Sequence, residues 1–296
     1  MKPNEIKKNA GVEVLVKWIM FTTSILGLAL ASAFYPVTAN VIFIVIPSIA
    51  VLIFSKPVFF EKMKLSTLLT MRILIVVAAL RIFNPQVYVD LVLLMLVVNI
   101  LEATITDIKV YKKYYNGISG IFLALGVLAL RGSWAYGSNA GNYYINFGAP
   151  GLENVQAAQL IIVLYAIAYT IWNWIFVTNE FSASVALMHV GFLLAPFLGA
   201  ALTHPLGWFG GINLWLVLRA NTLSIGGWMQ ICCKQWFERE FEYERFQKFV
   251  NWTKQRNMQI IFMIINIVLI LICLIVAFKE GALFTYSFPS FKAPIM

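Results

Sequence analysis

Residues 259–278 read QIIFMIINIVLILICLIVAF, twenty positions without a single charge. A helix of that length rises ~30 Å, the thickness of a bilayer's hydrocarbon core. Its apolar side chains point in every direction instead of forming one stripe, so the helix belongs where all its surroundings are apolar. Working outward, eight more apolar segments follow the same logic: residues 14–34, 37–55, 65–83, 87–106, 117–130, 155–177, 182–202 and 207–231. Segment three carries Arg72 and Arg81 and segment five is short, so eight spans remain an alternative to nine. The expected fold class is all-α, a polytopic transmembrane helical bundle occupying residues 1–296 as a single integral membrane domain.

Composition agrees. Of 296 residues, 61% are hydrophobic and 12% charged, against roughly half and a quarter in soluble domains. Such a surplus of apolar surface must face lipid. Aromatic residues at 15% suit belts of Trp and Tyr at the two interfaces. The net charge of +9 is read as loops facing anionic lipid, not as a nucleic-acid surface, because no basic stripe or binding motif accompanies it. Cys232, Cys233 and Cys273 lack CxxC spacing and acidic or histidine neighbours, so neither a metal site, a cofactor nor a disulfide framework is expected.

Basic residues fix the expected orientation. The N-terminal tail and the turns after segments two, four and eight hold Lys2, Lys7, Lys8, Lys56, Lys62, Lys64, Lys109, Lys112, Lys113 and most of the basic residues of 234–256. The alternate turns hold only Arg81 and Arg131. That asymmetry predicts a cytoplasmic N-terminus. Ala31-Ser32-Ala33 resembles a signal-peptidase site, but the long Lys-bearing lead before it favours an uncleaved first helix. Two pieces fall outside the membrane: an external loop at 132–154, rich in Gly, Asn and aromatics, read as a lid or as an irregular loop resting in headgroups; and a cytoplasmic amphipathic helix at 234–256, lying on the membrane or extending segment eight, with Trp236, Tyr243, Phe246 and Val250 on one face.

In hydrocarbon, polar side chains mark candidate sites. Asn99, Glu102 and Thr106 share a narrow helical face, and Asp107 follows at the helix end, where a solvated cap is the plainer reading. Glu102 coordinates an ion or substrate, or else makes an interhelical hydrogen bond or an ion pair with Arg72 or Arg219. Tyr165, Tyr169, Asn173, Phe176 and Glu180 form one stripe with Trp172 at its border, readable as a cavity wall or as a packing face with a hydrogen-bonding Asn. His189 is a structural hydrogen-bonder or a proton relay. Arg219, mid-segment with Trp215 and Thr222, needs a carboxylate, a carbonyl or water; Glu102 and Glu180 are the candidate partners, and an anionic substrate group is the alternative. P-loop, HExxH and GxSxG signatures are missing.

The stretches NILEATITD at 99–107, NGISG at 116–120 and YTIWNWIFV at 169–177 resemble a family of bacterial multi-pass membrane proteins of unknown function. The resemblance covers the middle of the chain. It implies a place in the bacterial inner (plasma) membrane and singles out Asn99, Glu102, Asp107, Trp172 and Asn173. The first expectation is a secondary transporter or channel for a small solute or cation, with Glu102 and Asn99 coordinating, the aromatic stripe lining the cavity and Arg219 as counter-charge. The alternatives are a membrane enzyme acting on a lipid or isoprenoid through Glu102, His189 or Glu180, and a non-catalytic assembly partner or sensor. The partners expected are the bilayer, a small solute or cation, and a second copy in a homo-oligomer.

Overall fold

A computed structural model describes residues 3–80, 85–130, 134–139, 142–147, 154–205 and 210–284. The helices are α1 (Pro3–Phe34), α2 (Thr38–Phe54), α3 (Phe59–Ala79), α4 (Pro85–Lys109), α5 (Tyr114–Ala129), α6 (Val155–Glu180), α7 (Ala183–Thr203), α8 (Trp215–Glu240), α9 (Glu244–Thr253) and α10 (Arg256–Lys279). The expected loops holding Arg81 and Arg131 fall outside the described residues.

Each of the nine apolar segments overlaps a helix. Among the described residues, five helices are long and apolar enough to cross a membrane: α1, α4, α6, α7 and α10. The remaining four depart from a simple spanning segment for two reasons. Helices α2 and α5 are short; α5 has 16 residues and rises ~24 Å. Helices α3 and α8 carry charge, Lys62, Lys64 and Arg72 on one and Arg219 on the other.

Burial explains how α8 tolerates its polar residues. It buries Arg219, Asn221, Thr222, Ser224 and Gln230 beside Trp215, packed among α7, α1 and α3. Side chains shielded by neighbouring helices do not have to be apolar. The periphery shows the reverse: only 22% of the most apolar stretch, in α10, is buried, against 67% in α7.

Helix ends that alternate in sequence meet in space. The first half of α1 reaches the end of α8 through Lys17 Nζ and Glu240 Oε2 at 2.7 Å. The start of α10 reaches the start of α5 where Arg256 Nε donates to Tyr115 Oη at 3.2 Å. At the other end Phe284 N donates to Ala129 O at 3.0 Å and Asn154 Nδ2 to Glu280 Oε1 at 3.3 Å. Only Phe181 and Ser182 separate α6 from α7, and Ser182 caps α7 by accepting from Val185 N. Proline interrupts two helices: α2 passes through a π-helical stretch at Val41–Val45 just before Pro47, and α7 contains Pro196.

Within 132–154, expected as a loop, Trp134–Asn139 (β1) pairs antiparallel with Asn142–Phe147 (β2), Trp134 opposite Phe147 and Asn139 opposite Asn142. An isolated two-stranded ribbon is marginal in water. This one packs against α1, α3, α4, α6, α8 and the 3₁₀ turn Gly211–Leu214 that leads into α8. Aromatic and β-branched residues in NYYINF favour the strand.

The single helix expected over 234–256 is two. Residues up to Glu240 complete α8, the chain bends, and α9 starts at Glu244. Phe237 and Phe241 are buried against Phe21, with ring centroids 5.3 and 5.7 Å from it. Burying both rings overrides the helical propensity of the charged stretch. Trp236 and Phe246 therefore sit on different helices. Along α9, Phe246 and Phe249 pack on Trp174, and Phe249 stacks on Trp252. Phe249 and Trp252 stay exposed, in keeping with a helix at a membrane interface.

Candidate functional site

Four helices, α3, α4, α6 and α8, enclose two cavities placed end to end. The first, of about 50 Å³, is lined by the start of α3, the last turns of α4 and α6, and the second half of α8. The second, of about 20 Å³, is lined by later residues of α3, earlier residues of α4 and α6, and the first half of α8. These volumes hold a few waters and about one water respectively.

The first cavity is acidic. Asn99, Glu102, Glu180, Lys64 and Gln230 contribute polar groups to its wall. Glu102, half-buried, accepts from Thr67 Oγ1 at 2.8 Å through Oε1, while Oε2 has no hydrogen-bond partner. Lys64 Nζ lies 3.8 Å from Glu180 Oε2 and 4.6 Å from the centre of the Phe176 ring. The ion pairs offered by sequence, Glu102 or Glu180 with Arg219 and Glu102 with Arg72, are not formed. Glu102 has Thr67, Glu180 has Lys64, and both arginines are turned to amides and carbonyls.

The second cavity has an almost wholly apolar wall, on which Arg219 is the one charged residue. Tyr165, Tyr169 and Trp215 line it with aliphatic residues from α3 and α4. Arg219 is buried and donates to Asn173 Oδ1 at 3.0 Å, Thr222 Oγ1 at 3.1 Å and Phe192 O at 3.4 Å. Its guanidinium carbon lies 5.5 Å from the centre of the Tyr169 ring, within cation–π range. Its Nε has no hydrogen-bond partner. Arg219 and Asn173 thus form a polar layer between cavities. On the other side of α8, the buried Arg72 donates to Asn40 Oδ1 at 3.0 Å and to Asn221 Oδ1. Those amides are held in turn by Ser32 O, Pro36 O and Ala29 O.

No family model matches the chain, and comparison with curated proteins and with solved structures gives no match. The assignment of a site therefore rests on the geometry of these residues.

The α6 stripe divides along its length: Tyr165 and Tyr169 face the second cavity, Phe176 and Glu180 the first, and Asn173 stands between. Trp172 does not line either cavity. It is fully buried behind them, stacked on Phe176 with centroids 6.2 Å apart. Asp107 is not a solvated cap. It is fully buried, and its Oδ2 accepts from Asn116 Nδ2 at 2.6 Å. That same Nδ2 donates to Trp172 O at 3.3 Å. Gly120 completes the clasp, since a Cβ there would collide with Thr104 and stand 2.8 Å from Trp172 Nε1. The three quoted motifs meet here, holding α4, α5 and α6 together. His189 bonds Gln230 Oε1 through Nε2 at 2.9 Å and stacks on Phe181 at 5.5 Å. It reaches the first cavity only through Gln230.

Lys64, Gln230, Asn40 and Asn221 were missed as candidates. In the sequence Lys64 stands out only as a marker of orientation. Gln230 had a signal: it lies eleven residues after Arg219, which returns a helix to the same face. Asn40 and Asn221 partner Arg72 across large sequence separations that periodicity does not reveal.

Proposed function

We propose that the chain is a secondary carrier for a small solute, crossing a bacterial inner membrane nine times from a cytoplasmic N-terminus. The observation that carries this reading is the pair of cavities on the same four helices, one to each side of the Arg219–Asn173 layer. A carrier needs a site reachable from either face but not both at once, and such sites sit near mid-membrane between helices. The acidic cavity lies at the end where Lys62, Lys64, Lys109, Lys112 and Lys113 gather, the cytoplasmic end by charge. Glu102 with Asn99 is the cation or proton site there. The β1–β2 ribbon stands at the opposite mouth. The meeting of alternate helix ends and the resemblance to bacterial multi-pass proteins support the nine crossings.

Two-sided labelling tests the route. Cys232, Cys233 and Cys273 are first replaced. Ala103→Cys in the first cavity and Ala220→Cys in the second are then exposed to a membrane-impermeant thiol reagent in oriented vesicles. Ala103→Cys is expected to react from the cytoplasmic side and Ala220→Cys from the outside. Reaction of both from one face alone overturns the carrier reading. Ser138→Cys in β1 and Gln247→Cys in α9 serve as topology markers and are expected to label from opposite sides.

A further inference from the structure

From the second cavity we infer that the solute is an organic anion, a carboxylate with an apolar body, and that Arg219 binds its carboxylate. The inference deepens the carrier reading and rests on it for calling the ligand a substrate.

Arg219 keeps its charge at any physiological pH. Its three acceptors are an amide oxygen, a hydroxyl and a main-chain carbonyl. Among the described residues no carboxylate bonds it. A full positive charge in the bundle is thus met by dipoles and the face of the Tyr169 ring, without a counter-charge, and a buried charge left in that state is costly. The unpartnered Nε belongs to a side chain that lines the cavity. A guanidinium presents its N–H groups as a planar fork that matches a carboxylate.

The rest of the wall chooses the body of the ligand. Tyr165, Tyr169, Trp215, Leu93 and Ile75 offer rings and branched aliphatic surface, which suits an apolar group and gives poor solvation to a polyhydroxylated or multiply charged one. The cavity holds about one water as it stands, so the ligand enters as the helices around it separate. An anion here and a cation at Glu102 would travel as a neutral pair, which removes the cost of carrying a lone charge across hydrocarbon.

The test is a thermal-shift titration of the purified full chain in nanodiscs. The probes are benzoate, phenylacetate, isovalerate and hexanoate, each set against its neutral amide and the matching amine. A ligand that binds the folded state raises the melting temperature. At least one carboxylate is expected to raise the wild-type Tm by several degrees, with its amide and amine inert. The shift is expected to vanish in Arg219→Gln and to shrink in Arg219→Lys. Leu93→Phe, which fills the cavity without touching the charge, is expected to abolish it also, and stands in if Arg219→Gln does not fold. The assignment is overturned if no carboxylate shifts the wild type, if amides or amines shift it equally, or if the carboxylate shift survives in a folded Arg219→Gln or, where that variant does not fold, in Leu93→Phe. The labelling test reads the route without any ligand. Alternating accessibility with no carboxylate binding sinks only this inference, and Arg219-dependent binding with one-sided accessibility sinks only the carrier.

Discussion

Arg219 donates to the main-chain oxygen of Phe192 at 3.4 Å, and four residues further along α7 Pro196 has no N–H to give that oxygen. The same relation recurs on α8. Trp228 Nε1 donates at 3.2 Å to Phe43 O, four residues before Pro47 in α2. Proline in a helix interior removes the bond to the fourth residue back and pushes its ring against that carbonyl. In hydrocarbon, no water repairs the loss. One helix, α8, therefore supplies the missing donor to two proline-broken neighbours, and Arg219 couples the break in α7 to the wall of the second cavity.

The α2 repair makes a double-mutant cycle informative. Trp228→Phe removes the donor to Phe43 O and is expected to cost ~1 kcal/mol, the net worth of a typical hydrogen bond. Pro47→Ala returns an N–H to position 47 that can serve the same oxygen. In that background the Trp228→Phe penalty, read from reversible unfolding in detergent, is expected to fall to near zero. Equal penalties in the two backgrounds would show that Trp228 acts through packing instead.

Much of the helical framework was legible because it is local. A run such as 259–278 announces a lipid-facing helix by composition, and the α6 stripe from Tyr165 to Glu180 follows from the helical period alone. The pairing of polar residues was not legible. Glu102 meets Thr67 from 35 residues away, and Arg72 meets Asn221 from 149 away; nothing in spacing chooses Thr67 over an arginine as the partner of Glu102. Asp107 looked solvated because it stands beside a lysine-rich turn, yet α5 folds back over it and Asn116 seals it. The split at 241–243 was hidden because helix-forming charged residues flank two rings whose burial against Phe21 is a tertiary fact.

Gly120 lies between Thr104 of α4 and Trp172 of α6. Gly120→Ala forces its Cβ into Thr104 Oγ1 and toward Trp172 Nε1, neither at the end of a long flexible chain. Overpacking of this kind costs ~1–3 kcal/mol. Gly27→Ala is the control: a Cβ at Gly27 meets nothing within 4 Å, and Ala favours helix over Gly by ~0.5–1 kcal/mol. The expected result is a lower melting temperature for Gly120→Ala and an unchanged or higher one for Gly27→Ala. A Gly120→Ala protein as stable as the wild type would mean that the three helices are not held this closely.

At the end of α8, Glu240 bonds Lys17 at 2.7 Å and Arg239 at 2.8 Å. Lys17 first, and Arg239 next, hold its carboxyl below the usual value of 4.5. A carboxyl depressed in the fold contributes stability above its unfolded value, and the contribution disappears as pH falls through the lower folded value. Melting temperature is therefore expected to decline as the pH drops from 5 to below 4.5, and Glu240→Gln is expected to flatten that decline while changing little of its shape near neutrality. Because the pair is only part-buried, added salt should weaken the effect. Wild-type and Glu240→Gln curves that run parallel across the acid range would remove this pair from the acid response.

Glu102 separates function from stability most cleanly. Thr67 Oγ1 donates to its Oε1, and a glutamine at that position offers an amide oxygen in the same place. Its other oxygen makes no bond that substitution would break. Glu102→Gln is therefore expected to keep the melting temperature within the ~0.5 kcal/mol scatter of benign substitutions. Glu102→Ala removes this acceptor, leaves the Thr67 hydroxyl only Met63 O at 3.2 Å, and is expected to cost more, up to ~1 kcal/mol. In proteoliposomes, Glu102→Gln is expected to abolish solute accumulation driven by an imposed proton or cation gradient, because an amide neither takes up a proton nor balances a cation. Exchange of solute across the membrane without a gradient should persist, since the Arg219 layer is untouched. Retained gradient-driven accumulation in Glu102→Gln would reduce Glu102 to a hydrogen-bond acceptor for Thr67. Loss of both accumulation and exchange would instead place Glu102 on the path of the solute itself.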